Sequence, residues 1–133
     1  MGGRFVTTSL SGSSSYGELL SACVAVTGSD AELVWVDDQP VLAGGVEPWS
    51  ELPLWYPEFK EGKPSGIWRA DARAAARAGL RCRPIAETVR DTWAWVQERG
   101  PLDHPYTQGL QGAVLGIAPD KELRILAGEP EPR

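Results

Sequence analysis

The chain has 133 residues, enough for one hydrophobic core in one domain. A hydrophobic share of 42% with six Trp excludes a disordered chain, and a formal net charge of -5 without a run of Lys or Arg argues against nucleic acid or an anionic membrane as partner. Cys23 and Cys82 with the one His, His104, make no Cys/His metal set, so the thiols read as reduced and the protein as cytoplasmic.

No stretch reaches the ~20 apolar residues of a membrane span, and no charged stretch at the start leads into a long apolar one. Residues 4–9, RFVTTS, are β-branched and aromatic and predict a strand. The SGSSS loop at 11–15 has the composition of a phosphate cradle but not the spacing of either nucleotide-binding glycine motif. Ser15 and Glu18 read better as a capping box. The helix that follows puts Leu19, Leu20, Cys23, Val24 and Thr27 on one apolar face, where Cys23 serves as a small hydrophobe, and Gly28 ends it.

Residues 32–36, ELVWV, predict a second strand, after which Asp37 or Asp38 caps a short helix that Gly44 and Gly45 close. From 46 to 65 the prolines at 48, 53, 57 and 64 rule out a long regular element. Trp49, Leu52, Leu54, Trp55, Tyr56 and Phe59 are too apolar for a solvated linker, so a short helical turn and an ordered loop are expected there. Residues 66–70, GIWRA, predict a third short strand, and Asp71 caps a small Ala/Arg helix that ends at Gly79 and Leu80 with the parts of a Schellman motif. Pro84 starts the longest helix, 85–99, whose core stripe is Ile85, Val89, Trp93 and Val96. Residues 102–116 read as a loose connector, 119–127 as a last helix and 129–133 as a frayed tail. The expected fold class is α/β, an α+β-like small domain over residues 1–128, helix-rich with a few short strands.

The segments YGELLSACVAVTGSDAELVWV, GVEPWSELPLWYPE and GIWRADARAAARAGLRCRPIAETVRDTWAWV, with GIAPDKELRILAG near the end, together resemble the C-terminal, substrate-binding region of actinobacterial NAD-dependent epimerase/dehydratase-like proteins. These are extended short-chain dehydrogenase/reductases, and the likeness runs from about Arg4 to Gly128. It implies a small-molecule substrate but says nothing of which one. In that family a Rossmann half comes first, carrying G-x-G-x-x-G, an acidic ribose ligand, a catalytic Ser and a Tyr-x-x-x-Lys pair. No G-x-G-x-x-G occurs here. Tyr56 and Lys60 have the pair's spacing, but Pro57 directly after Tyr56 disfavours the helical backbone that puts the two on one face. The expectation is a chain without cofactor and without oxidoreductase activity of its own.

Asp37 and Asp38 form a carboxylate pair suited in principle to acid–base work, although capping explains one and solvent the other. Trp35, Trp49, Trp55 and Trp68 come from strand ends and the Pro-rich loop, which in the resembled family lie near the substrate pocket, and flat apolar walls suit a small organic ligand. Packing competes with that reading for Trp49 and Trp55, and accounts for Trp93 and Trp95. Arg69 offers a bidentate donor to an anionic substrate group, or a surface ion pair, and His104 reads as exposed. The substrate-binding candidates are therefore Trp35, Trp49, Trp55, Trp68 and Arg69, with no catalytic residue assigned.

Three functions follow from these readings. One is a small-molecule-binding domain. Another, from a different class, is a cofactor-independent isomerase or cyclase acting on a natural-product intermediate. The third is a subunit of a split epimerase or reductase, completed by a separate Rossmann-containing chain. Apolar surface near the first strand and the Pro/Trp loop points to association, most simply a homodimer.

Overall fold

In a computed structural model, which describes residues 3–60, 63–64, 66–99 and 116–129, the first helix α1 spans Tyr16–Thr27. Its start is the capping box expected from the sequence. Ser15 Oγ accepts from the Glu18 amide at 3.1 Å, and Glu18 Oε2 accepts from the Ser15 amide at 2.7 Å. Gly28, at φ 69°, donates to Val24 O and ends the helix in the left-handed conformation that residues with a Cβ disfavour.

Helix α2 spans Asp38–Ala43, α3 spans Arg73–Arg77, α4 spans Ile85–Arg99 and α5 spans Pro119–Leu126. The only ladder among the described residues is a hairpin, β1 (Phe59–Lys60) antiparallel to β2 (Lys63–Pro64), with Phe59 opposite Pro64 and Lys60 opposite Lys63. The chain divides into two compact units, each discontinuous in sequence, where the sequence reading treats 1–128 as one domain. The first unit is Met1–Leu33 with Gly66–Leu102, and the second is Val34–Ser65 with Asp103–Arg133.

In the first unit α1 packs along α4. The expected stripe on α4 is present, with Val89 buried and Ile85, Trp93 and Val96 half-buried. On the facing helix Leu19, Leu20, Cys23 and Val24 are half-buried. Trp95 departs from the packing expected of it: it is 44% exposed, and the Arg99 guanidinium one turn on lies 5.2 Å from its ring centroid. Its position beside the stripe turns the indole outward, and a cation stacks on the solvent face. Helix α3 ends as the sequence predicts, with Leu80 N–H donating to Ala75 O and Gly79 N–H to Ala76 O.

In the second unit the core is Val41 of α2, Val46 and Ile125 of α5, with Leu52, Trp55 and Ile117 packed around it. Gly44 is there for space. A Cβ at this position would lie 2.5 Å from Ile125 Cγ1, closer than packed carbons allow. The expected helical turn in the Pro-rich loop is present, since Glu51 N–H donates to Glu47 O.

The fold is helix-rich, but the three strands expected at 4–9, 32–36 and 66–70 do not form. Residues 3–7 and 31–37 run without a ladder, and Phe5, Val6, Val34, Trp35 and Val36 are exposed. Residues 66–69 instead make a turn closed by Arg69 N–H to Gly66 O, with Gly66 at φ 65°. β-Branched composition favours a strand only where a neighbour accepts its backbone bonds, and no described residue fills that role for these segments. The connector 102–115, with His104, lies outside the described residues, as do 130–133. No helix among the described residues is long and apolar enough to cross a membrane.

Candidate functional site

The turn before α1 and the turn after α3 build the two walls of a cleft in the first unit. Thr8, Ser9, Leu10, Ser13 and Ser14 form one wall; Ala76 and the run Leu80, Arg81, Cys82, Arg83, Pro84 form the other. The volume is about 540 Å³, within the range of sites that hold small organic molecules. Local bonds set each wall. Ser13 N–H donates to Leu10 O at 3.0 Å, and Gly12 at φ 78° lets the chain double back before the capping box. On the other side Arg81 Nη1 donates to Ala76 O at 3.1 Å, which also accepts from Gly79 N–H, and to Leu80 O at 3.0 Å, so the side chain folds back over the turn that follows α3. Arg83 is anchored to α4 through Thr88 Oγ1 at 3.0 Å and through the Asp91 carboxylate.

The two walls differ chemically. One supplies four hydroxyls, from Thr8, Ser9, Ser13 and Ser14, none of which has a partner among the described residues. The other supplies two guanidinium groups set among Leu80, Ala76 and Pro84. Arg83 is paired with Asp91, whereas Arg81 has no carboxylate partner among the described residues. No described residue of the lining is a carboxylate, Tyr, Lys or His.

The five residues singled out by sequence lie elsewhere. Trp35, 64% exposed, stands on the extended stretch 31–37. Trp49 is 43% exposed on left-handed backbone at φ 69°, with its ring centroid 6.4 Å from that of Tyr56. Trp55 packs against the core of the second unit, and its Nε1–H donates to Asp38 Oδ1 at 3.0 Å. Trp68, 51% exposed, and Arg69 sit in the turn that begins at Gly66. Trp35, Trp49 and Trp55 thus belong to the second unit and Trp68 and Arg69 to the first, and none lines the cleft.

Several other expectations change. Neither Asp37 nor Asp38 makes a side-chain cap on α2. Asp38 is a tertiary tie, accepting from the Trp55 indole and, at 3.1 Å, from the Glu58 amide, because the Pro-rich loop brings both donors over the start of α2. Asp71 receives Arg73 N–H at 3.0 Å, but from one position before the N-cap, which is Ala72, so α3 lacks the side-chain cap that the sequence predicts. Tyr56 and Lys60 stand on non-helical backbone, so the shared helical face that a Tyr-x-x-x-Lys pair uses does not exist here. Cys23 is half-buried and Cys82 exposed, and no group of three metal-binding side chains occurs among the described residues.

The charged network of the second unit is structural. Lys121 Nζ donates to Gly45 O at 2.6 Å and to both Glu51 oxygens at 2.9 and 2.8 Å. The Lys121 bond, with the Glu47 amide, holds the Glu51 carboxyl below its usual range. In the first unit, burial raises the Tyr16 phenol, with Cys23 adding to it. The Arg73 guanidinium holds Asp71 low, and Arg124 does the same for Asp120 in the second unit. None of these groups lines the cleft.

The cleft was legible only in part. The hydroxyl loop is visible at 11–15, but its partner wall is a run of scattered arginines. From 66 to 84 the chain has Arg69, Arg73, Arg77, Arg81 and Arg83 against one acid, Asp71, a local excess hidden by the net charge of -5. No protein-family profile matches the chain, and neither does any curated protein or solved structure.

Proposed function

We propose that this protein is a small-molecule-binding domain, of the kind its sequence resembles in the substrate region of extended short-chain dehydrogenase/reductases, and that it performs no nicotinamide chemistry by itself. The observation that carries the reading is the cleft: about 540 Å³ with unclaimed hydroxyls on one wall and apolar and cationic groups on the other. Binding fits better than a cofactor-free isomerase or cyclase. The described lining lacks the carboxylate, Tyr, Lys or His of most general acid–base sites, and its one thiol, the exposed Cys82, has no such group beside it in the lining.

Ligand-observed NMR screening of a fragment library against the full chain tests the reading. Fragments that bind the native protein are expected to be lost in Leu80→Trp, where the indole fills the cleft. Binding that survives the block would overturn the assignment of the site. Saturable binding of NADH or NADPH, read by quenching of Trp fluorescence, would overturn the second half of the reading.

A specific observation also favours association. Phe5, Val6, Val34, Trp35 and Val36 are exposed on backbone whose ladder bonds no described residue takes up. An exposed apolar segment with open backbone bonds can pair with another chain. The partner is a second copy, with the N-terminal segment or the 46–59 loop at a two-fold interface, or a chain that carries a Rossmann half. Light scattering at micromolar concentration is expected to give twice the mass of one chain. A mass of one chain at every concentration would remove the homodimer.

A further inference from the structure

The cleft's lining is specific enough to name a ligand class, an inference that rests on the binding role given above. We propose that it takes a small organic acid, a carboxylate or phosphate head on an apolar body, with the head held by Arg81 and the Ser13 and Ser14 hydroxyls.

Three observations converge on this. First, the described lining contains two guanidinium groups and no carboxylate, so its charge is positive in a chain whose net charge is -5. Second, the two arginines are not equivalent. Arg83 is neutralised by Asp91 and bonded to Thr88, whereas Arg81 spends only Nη1, and spends it on neutral carbonyls. Its Nε and Nη2 donors and its charge remain available in an orientation that Nη1 has already fixed. A guanidinium held in this way presents a fork that matches a carboxylate or phosphate edge. Third, hydroxyls and apolar groups share the same small space. Ser13 and Ser14 have free hydroxyls to donate to the remaining head oxygens, while Leu10, Leu80, Ala76 and Pro84 offer apolar surface for the body. A bare inorganic ion would leave that surface uncovered, and a neutral hydrocarbon would leave Arg81 unpaired.

The anchor arises from fold logic. The Schellman ending of α3 turns the chain at Gly79 and Leu80, and this return places Arg81 where Nη1 reaches Ala76 O in α3 and Leu80 O in the turn. The Arg81 side chain is thereby tied to two carbonyls at the cleft.

Isothermal titration calorimetry at low salt on the full chain tests the inference with phenylacetate, phenyl phosphate and the neutral 2-phenylethanol as probes. At least one acid is expected to bind about tenfold or more tightly than the alcohol, the difference expected of charge-assisted bonds over neutral ones. Whichever acid binds more tightly identifies the head group. Arg81→Gln is expected to remove about tenfold or more of the acid's affinity, while Arg81→Lys, which keeps the charge, loses less. Because Arg81 is also bonded to α3 and the turn after it, the double variant Ser13→Ala/Ser14→Ala serves as the second probe; it leaves that helix untouched and is expected to weaken acid binding while sparing the alcohol. Equal binding of alcohol and acids would overturn the ligand class and leave the binding role standing. Failure of both acids to bind would also overturn the ligand class, and the fragment screen then decides the binding role separately.

Discussion

The two units of this small protein are stabilised in different ways, and the contrast bears on where a ligand could be held. In the second unit the chief polar side chains are spent on long-range ties. Asp38 holds Trp55 and Glu58, and Lys121 holds Gly45 and Glu51 across 70 or more residues of sequence. In the first unit the side-chain bonds of Ser15, Arg81 and Arg83 are local, within α1's cap, the turn after α3 and the start of α4, and the hydroxyls of Thr8, Ser9, Ser13 and Ser14 have no partner among the described residues. A polar group already tied into the fold cannot also hold a ligand without breaking that tie. On the proposed reading the Trp-rich loop serves as structural cover and the Ser- and Arg-lined cleft as the binding site.

Substitutions can break this contrast, beginning with the core. Ile125→Ala is expected to destabilise the second unit by roughly 2–5 kcal/mol, the usual cost of emptying a buried aliphatic site. Gly44→Ala is expected to cost roughly 1–3 kcal/mol by overpacking, because the new Cβ meets Ile125 Cγ1 at 2.5 Å. Asp38→Ala should cost about 1–3 kcal/mol, since it strands the partly buried Trp55 indole N–H as well as the Glu58 amide. Urea unfolding followed by circular dichroism measures all three. Each should leave cleft binding close to native where the chain remains folded, and loss of binding in a folded variant would show that the loop serves the ligand after all.

Smaller effects sharpen the contrast. Ser15→Ala removes one half of the capping box and is expected to cost about 1 kcal/mol, confined to α1. The Glu51 pair sets a pH dependence. Its carboxyl is held low in the folded protein by Lys121 and the Glu47 amide, so the stabilisation is full above the ordinary Glu value of about 4.3 and is lost as pH falls through the lower folded value. Discounted for solvent at this partly exposed pair, the effect should stay below about 1 kcal/mol. Melting temperatures from pH 6 to 3 are expected to fall more steeply for the native protein than for Glu51→Gln.

The sequence made the helices legible because their signals are local. Ser15, Glu18 and Gly28 bound α1, Pro84 opens α4 and Pro119 opens α5, and each acts within one turn of itself. The strands were misread because RFVTTS and ELVWV carry propensity without information about a neighbour. Asp38 was misread for a related reason. An acid before a helix has a local use as a cap, and nothing nearby in sequence announces an indole 17 residues on. Gly44 and Gly45 end α2 as the sequence predicts, with Gly45 at φ 73°, but the demand for a small residue at Gly44, whose φ of -75° is open to any residue, comes from Ile125 and has no local signal. The aromatic excess points to the Trp set, although Trp55 is occupied in packing, and nothing in the sequence marks Arg81, past the end of a modest Ala/Arg helix, as a cleft residue.

Mapping the binding site on the protein itself tests the central claim most directly. Amide and Trp indole shifts of the 15N-labelled chain, followed during titration with phenylacetate or phenyl phosphate, separate the two units in one experiment. Saturable shifts are expected at Ser9, Leu10, Ser13, Ser14 and Leu80 through Arg83, with the indole signals of Trp49 and Trp55 unmoved. Saturable shifts centred on those two indoles, with the amides of Ser13, Ser14 and Arg81 silent, would contradict the account and return the site to the Trp-rich loop.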